Sequence, residues 1–309
     1  MELTRGEKLA LESEFQWLLL EEMPNLVVQL QKILADCSSN IFPNSADNLT
    51  STPGNYVFNN RNNADSFKGV VTLFQNLIVS ADLQIKFPTC AHTLRANIRE
   101  DSPWKVPQIQ ACSNLLTKML TILSHHTSNA ITYTHASQII KLLDQLTGLL
   151  NSARHTLDHP APLDIEAILQ DRQKVLFNPP LPSEFAVIFT VLRDRLVVNA
   201  FHLQPLKTSS DNRKIELRLA LSQGKVEIGS RASESTPVPW LTSLIMAISF
   251  CLEQSQLMKD KVAMFQQYHI ATNTTAVSSS PSTAAQSIHN SHKSKQGTAT
   301  CTPIEHNNY

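Results

Sequence analysis

The residues able to do chemistry are scattered along this sequence, and few are spaced to act together. Cys90-Ala91-His92 sets a thiol and an imidazole two positions apart, which is half of a metal-ligand set. No second pair of the Cys-x-x-Cys or His-Glu-x-x-His kind accompanies it. His125-His126 and His135 fall at an expected helix end and helix start. Adjacent imidazoles on one helix do not face one ion comfortably, so solvated loop histidines are the plainer reading. Glu100-Asp101 lacks a partner for acid–base work. Ahead of Ser102-Pro103-Trp104 it makes sense as a helix start, with Ser102 as cap, Pro103 in the first turn and acids at the positive end of the dipole. The chain has 7 glycines, none in a phosphate-cradling loop, and Gly-x-Ser-x-Gly is absent. The expectation is no catalytic residue, no cofactor and no metal site. Trp17, Trp104 and Trp240 are the candidates for partner contact, because Trp is common where interfaces concentrate binding energy. A buried anchor is the competing reading for each.

Composition narrows the classes further. Lys plus Arg equals Asp plus Glu at 26 each, and charged residues make up 17% of the chain. A balanced chain has no built-in attraction for nucleic acid or an anionic membrane. The apolar stretch from Val238 to Leu252 is interrupted by Thr242, Ser243 and Ser249, and it falls short of the roughly 20 residues of a membrane span. No leader is expected in the polar opening Met1 to Glu7. The cysteines Cys37, Cys90, Cys112, Cys251 and Cys301 are odd in number and far apart, which suits free thiols in a reducing, cytoplasmic setting.

Four segments carry the helical period that must position these residues. The first sets Leu19, Met23, Leu26, Leu30, Ile33 and Cys37 at spacings of four and three. Pro24 lies inside it, and a kink or restart is expected there. The second includes Ile109, Cys112, Leu116, Met119 and Leu123; the third Ile139, Leu142, Leu146, Leu149 and Ala153. The fourth follows Pro237 and Pro239 with Leu244, Ile248, Cys251, Met258, Val262 and Phe265 on one face and Ser255 amid them. Neither the first nor the fourth is preceded by the basic helix of a DNA-binding zipper.

Strand-like sequence comes in two groups. Leu77, Val79, Ala81, Leu83, Ile85 and Phe87 alternate with polar residues, flanked by Phe67 to Leu73 and Leu94 to Ile98. The second group holds Phe185 to Leu192, a break at Arg193-Asp194, and Leu196 to Leu203. It closes with a hairpin of Ile215 to Leu221 and Lys225 to Gly229. Joining both groups in one mainly antiparallel sheet hides the most edge. The expected fold is therefore α+β, an elongated protein of two lobes, both discontinuous in sequence. Residues 7–38, 102–158 and 237–268 form a four-helix antiparallel bundle lobe, and 55–100 and 176–234 a β lobe. Residues 39–54 read as a polar loop and 269–309 as a disordered tail, too poor in apolar side chains to offset ordering.

The order of short motifs resembles the Rogdi family, sometimes called Rogdi leucine-zipper proteins. They are Glu14-Phe15-Gln16-Trp17-Leu18-Leu19, Lys68-Gly69-Val70-Val71-Thr72-Leu73 and Ala81-Asp82-Leu83-Gln84-Ile85-Lys86. Arg99-Glu100-Asp101, Trp104-Lys105, Gln108-Ile109-Gln110 and Leu181-Pro182-Ser183 follow, then Pro239-Trp240-Leu241 and Leu257-Met258-Lys259-Asp260-Lys261. Each is weak alone; their shared order over residues 8 to 266 is specific.

The resemblance implies a non-catalytic scaffold similar to the small subunit of the RAVE assembly. That assembly promotes joining of the two sectors of the vacuolar proton ATPase. Implied partners are a rabconnectin-like WD-repeat protein and peripheral subunits of that ATPase. The implied locations are the cytoplasm, the surface of vesicles including synaptic ones in neurons, and the nuclear envelope. A homodimeric zipper regulator and an enzyme with an unrecognised site are the alternatives. The enzyme would need a pocket gathering Cys90, His92 or the Glu100/Asp101 pair.

Overall fold

A computed structural model of the chain describes residues 4–41, 53–61, 66–98, 101–128, 132–160, 176–205 and 226–277. The chain divides into Met1–Gln267 and Tyr268–Tyr309. The first unit holds both sheets and the packed helices; in the second the described part is helical.

Helix α1 spans Arg5–Trp17 and opens on a capping box, in which Thr4 accepts from the Glu7 N–H while the Glu7 carboxylate accepts from the Thr4 N–H. A π turn over Leu18–Glu22 joins it to α2, Met23–Ile41. This is the form the expected interruption takes. Pro24 brings no N–H and its ring opposes the regular ladder, and the preceding turn widens so that the Met23 N–H reaches the Leu18 carbonyl. The helix passes the proline without ending.

Strands β1 (Gly54–Arg61), β2 (Ser66–Phe74), β3 (Leu77–Lys86) and β4 (Thr93–Ile98) form an antiparallel sheet in chain order. The short β5, Trp104–Lys105, adds to β3. The helix expected to start at Ser102-Pro103 starts instead at Pro107, because Trp104 and Lys105 pair with Ile78 and Leu77. Proline still takes the first turn, one motif later. The alternation in β3 holds from Ala81 to Phe87 but reverses below it. Thr72 pairs with Ser80 and Leu73 with Ile78, leaving Val79 as the bulged extra residue. One extra residue flips the faces, so Ile78 is buried in place of Val79.

Helices α3 (Pro107–Ser128) and α4 (Ala136–Asp158) follow, then β6 (Phe185–Leu192), β7 (Arg195–Pro205), β8 (Val226–Pro237) and α5 (Pro239–Val277). Strands β6, β7 and β8 make a second antiparallel sheet. The single sheet expected from edge protection is thus corrected to two among the described residues. β8 lies beside β1 without a shared ladder, and the edge of β6 is closed by a side chain of α3, Gln108. The β7–β8 pairing contains a bulge at Gly229, where a Cβ would lie 2.4 Å from the Gln204 side chain. Of the expected hairpin ending at Gly229, residues 215–225 lie outside the described residues.

Two boundary expectations are also corrected. The loop expected over 39–54 yields its ends to α2, which runs to Ile41, and to β1, which starts at Gly54. The stretch from 269, expected to be disordered, is helical to Val277. Extending an existing helix fixes one residue at a time, so a helix anchored by its earlier turns continues into sequence that would not nucleate one.

One apolar cluster runs from Phe15 to Val262 and draws on every helix and both sheets. Within it Phe15 of α1 meets Phe265 of α5 at 5.4 Å between ring centroids. Lys261 of α5 pairs with Glu22, Lys259 of α5 with Asp144 of α4, and Gln31 of α2 with Ser124 of α3. The first and last helices therefore touch, and each also contacts one of the middle two.

Candidate interaction site

The three tryptophans have separate fates. Trp104 is buried, and its ring stands edge-on to Phe177 at 5.8 Å and to Phe189 of β6 at 5.2 Å. It joins the two sheets as an internal anchor and is not available to a partner. Trp240, in the first turn of α5, is half-buried. Its indole lies beside the Tyr56 side chain of β1 and works against the rise that burial gives the Tyr56 pKa. Trp17 alone is open, at 58% exposure.

Trp17 belongs to an apolar outer face on the first helix. Leu20 and Val28 are also exposed there. Beside them lies a groove of about 280 Å³ bounded by Leu19, Leu20, Pro24, Val27, His126 and Tyr133. His126 Nδ1 is 3.1 Å from the Tyr133 hydroxyl, and the two rings are stacked. Burial, then the neighbouring His125, lowers the His126 pKa, and burial pushes Tyr133 up to about 12. Both groups are neutral near pH 7. The groove is an apolar recess with a hydrogen-bonding rim, of a size to take one or two large side chains.

Cys90 and His92 do come together with other polar groups. They line a recess of about 480 Å³ with Arg95, Glu184, Phe185 and His202. On its lining the exposed Thr89 hydroxyl lies 3.0 Å from His202 Nδ1 and 2.8 Å from the Ser230 hydroxyl. His202 stacks on Phe185 at 5.2 Å and lies 6.1 Å from Phe87, and burial lowers its pKa against the opposing charge of Glu184. A hydroxyl beside a neutral imidazole is the start of a nucleophile–base pair. Here the same hydroxyl is shared with Ser230, so the three side chains tie the loop after β3 to β7 and β8. His92 and Arg95 are exposed. Among the described residues no three His, Cys, Asp or Glu side chains are grouped to hold a metal ion.

The remaining candidates are dispersed. His125 and His126 end α3, and His135 caps α4, where the Gln138 side chain accepts from its N–H. Asp101 is exposed in a turn; Glu100, His289, His292, His306 and Cys301 lie outside the described residues. Cys112 and Cys251 are buried free thiols raised to about 12 by burial. No described helix is long and apolar enough to cross a membrane.

The family described as Rogdi leucine zipper containing protein matches residues 14–301. The chain belongs to the Rogdi family. It is 29% identical to the human protein rogdi homolog over 279 residues, which is 87% of this chain and 96% of the relative. Against the zebrafish rogdi homolog the identity is 26% over 276 residues, covering 86% and 96%. Against the Drosophila protein rogdi it is 25% over 267 residues, covering 85% and 91%. The Rogdi match takes in both sheets and all the helices, so it concerns the whole interwoven fold and not one helical seam.

Proposed function

We propose that this protein is a non-catalytic adaptor, a RAVE-type subunit that promotes assembly of the vacuolar-type proton ATPase together with a rabconnectin-like partner. It acts in the cytoplasm at the surface of vesicles, synaptic vesicles in neurons among them, with the nuclear envelope as a second location. The observation that carries this reading is family membership over nearly the whole chain. Trp17, Leu20 and Val28 on an outer helix face supply a surface of the kind that binds proteins. Affinity purification of the full chain from cells that express both partners should recover the rabconnectin-like protein or peripheral ATPase subunits. Recovery of neither would overturn the proposal.

The recess holding Cys90, His92 and His202 is the observation favouring an enzyme as the second reading. Metal bound in stoichiometric amount after purification, and lost in a Cys90→Ala/His92→Ala variant, would support it.

A further inference from the structure

Helix α5 is apolar on two faces. One face supplies Leu241, Leu244, Ile248, Cys251, Met258 and Val262 to the core. The other should be polar if it met only water. It carries instead Met246 at 68% exposure, Phe250 at 38%, Leu257 at 50% and Met264 at 58%. With Ser243, Glu253, Asp260 and Gln267, also exposed, these residues follow spacings of three and four without a break. They form one straight stripe along about 27 Å of helix between Met246 and Met264. A single exposed apolar side chain is ordinary; four large ones in register mark a contact surface.

The charges on the stripe say what kind of contact. Its polar positions within this span are the carboxylates of Glu253 and Asp260, one heptad apart. The lysines nearby are turned away, Lys259 to Asp144 and Lys261 to Glu22. A second copy of this chain is a poor occupant. In parallel pairing Glu253 would face Glu253 and Asp260 face Asp260, and in antiparallel pairing centred on the stripe Glu253 would face Leu257 and Asp260 face Phe250. Parallel pairing sets like charges against each other and antiparallel pairing buries carboxylates against apolar side chains with no cation beside them, so both select against self-association.

We infer that the outer face of α5 docks an amphipathic helix of a different protein. That helix packs large apolar side chains against Phe250, Leu257 and Met264 and sets Lys or Arg against Glu253 and Asp260. The inference rests on the adaptor reading and names the surface it uses.

The test uses the full chain and two synthetic helical peptides of about 25 residues, the length that spans the stripe. One has leucine at its heptad core and lysine opposite Glu253 and Asp260; its twin has glutamate in place of lysine. Fluorescence anisotropy should show the lysine peptide binding at least tenfold more tightly. Leu257→Asp/Met264→Asp should lose that binding, and Glu253→Lys/Asp260→Lys should reverse the preference, with circular dichroism unchanged because all four positions are exposed. Equal binding of the twins, no binding of either, or indifference to these variants would overturn the inference. So would a homodimer by light scattering that Leu257→Asp/Met264→Asp dissolves. Affinity purification separates the two claims. Wild type recovering no protein partner sinks the adaptor function while the peptide arms still judge the surface; Leu257→Asp/Met264→Asp recovering the same partners as wild type sinks the surface alone.

Discussion

The side-chain amide of Gln108 on α3 is bonded to both backbone groups of Val191. Its Nε2 donates to the Val191 carbonyl at 2.8 Å, and its Oε1 accepts from the Val191 N–H at 2.7 Å. Nε2 also donates to the Thr156 carbonyl at 3.0 Å. One side chain thus stands in for a neighbouring strand at the edge of β6 and fixes that edge to α4. Gln108→Ala strands three backbone groups, each costing about 1–3 kcal/mol when fully buried. Partial access of water at this half-buried position reduces the sum. Urea denaturation should show a loss of about 2 kcal/mol, and Gln108→Glu at neutral pH should lose at least as much, since a carboxylate then faces two carbonyls.

The tryptophans should separate by stability. Trp104→Ala empties the space between Phe177 and Phe189 and should cost about 3–5 kcal/mol. Trp17→Ala removes an exposed ring and should stay within about 0.5 kcal/mol of wild type. The reverse order in thermal or chemical unfolding would contradict the placement of both.

Ser255 lies fully buried on the core face of α5, and its hydroxyl has no hydrogen-bond partner. An unsatisfied buried hydroxyl is a penalty that Ser255→Ala removes, and alanine also favours the helix. We expect a gain of about 1 kcal/mol in calorimetric or denaturant measurements.

His126 and His202 are both held below the ordinary histidine value of 6.5, mainly by burial. The unfolded chain therefore binds protons first as the pH falls. Stability is in full force above about 6.5 and declines through the window between that value and the lower folded values. The drop in Tm from pH 7.5 to pH 5.5 should be smaller in His126→Gln/His202→Gln than in wild type. An equal drop would show that other groups govern the acid side.

Periodicity made the core legible. Ile109, Cys112, Leu116, Met119 and Leu123 are all buried on α3, because a long helix packed against α2 and α4 has one consistent inward face. β6 was legible from a run that is apolar but for Thr190, and the turn after it from the break at Arg193-Asp194. Less local facts were hidden. The reversal in β3 depends on a bulge set by its partner strand, and β5 depends on β3 offering a free edge to Trp104 and Lys105. β1 falls almost wholly within the expected β lobe but gives no strand signal of its own, because Asn55, Asn59 and Asn60 mask the inward Phe58. The grouping of Cys90 and His92 with His202 joins residues from two sheets, a distance no motif spans. Trp17 kept its candidacy because it sits on the outer side of a helix whose other face was readable; Trp104 lost it because Phe177 and Phe189 come from far along the chain.

The ring contact of Phe15 with Phe265 and the pairing of Glu22 with Lys261 order events on the ribosome. Glu22 leaves the exit tunnel 239 residues ahead of Lys261, so this contact forms long after the first helix is made. Until then the side that meets α5 is available to chaperones. A chain cut short ahead of Lys261 leaves Phe15 and Glu22 without these partners, so it should be cleared by proteolysis faster than the intact chain.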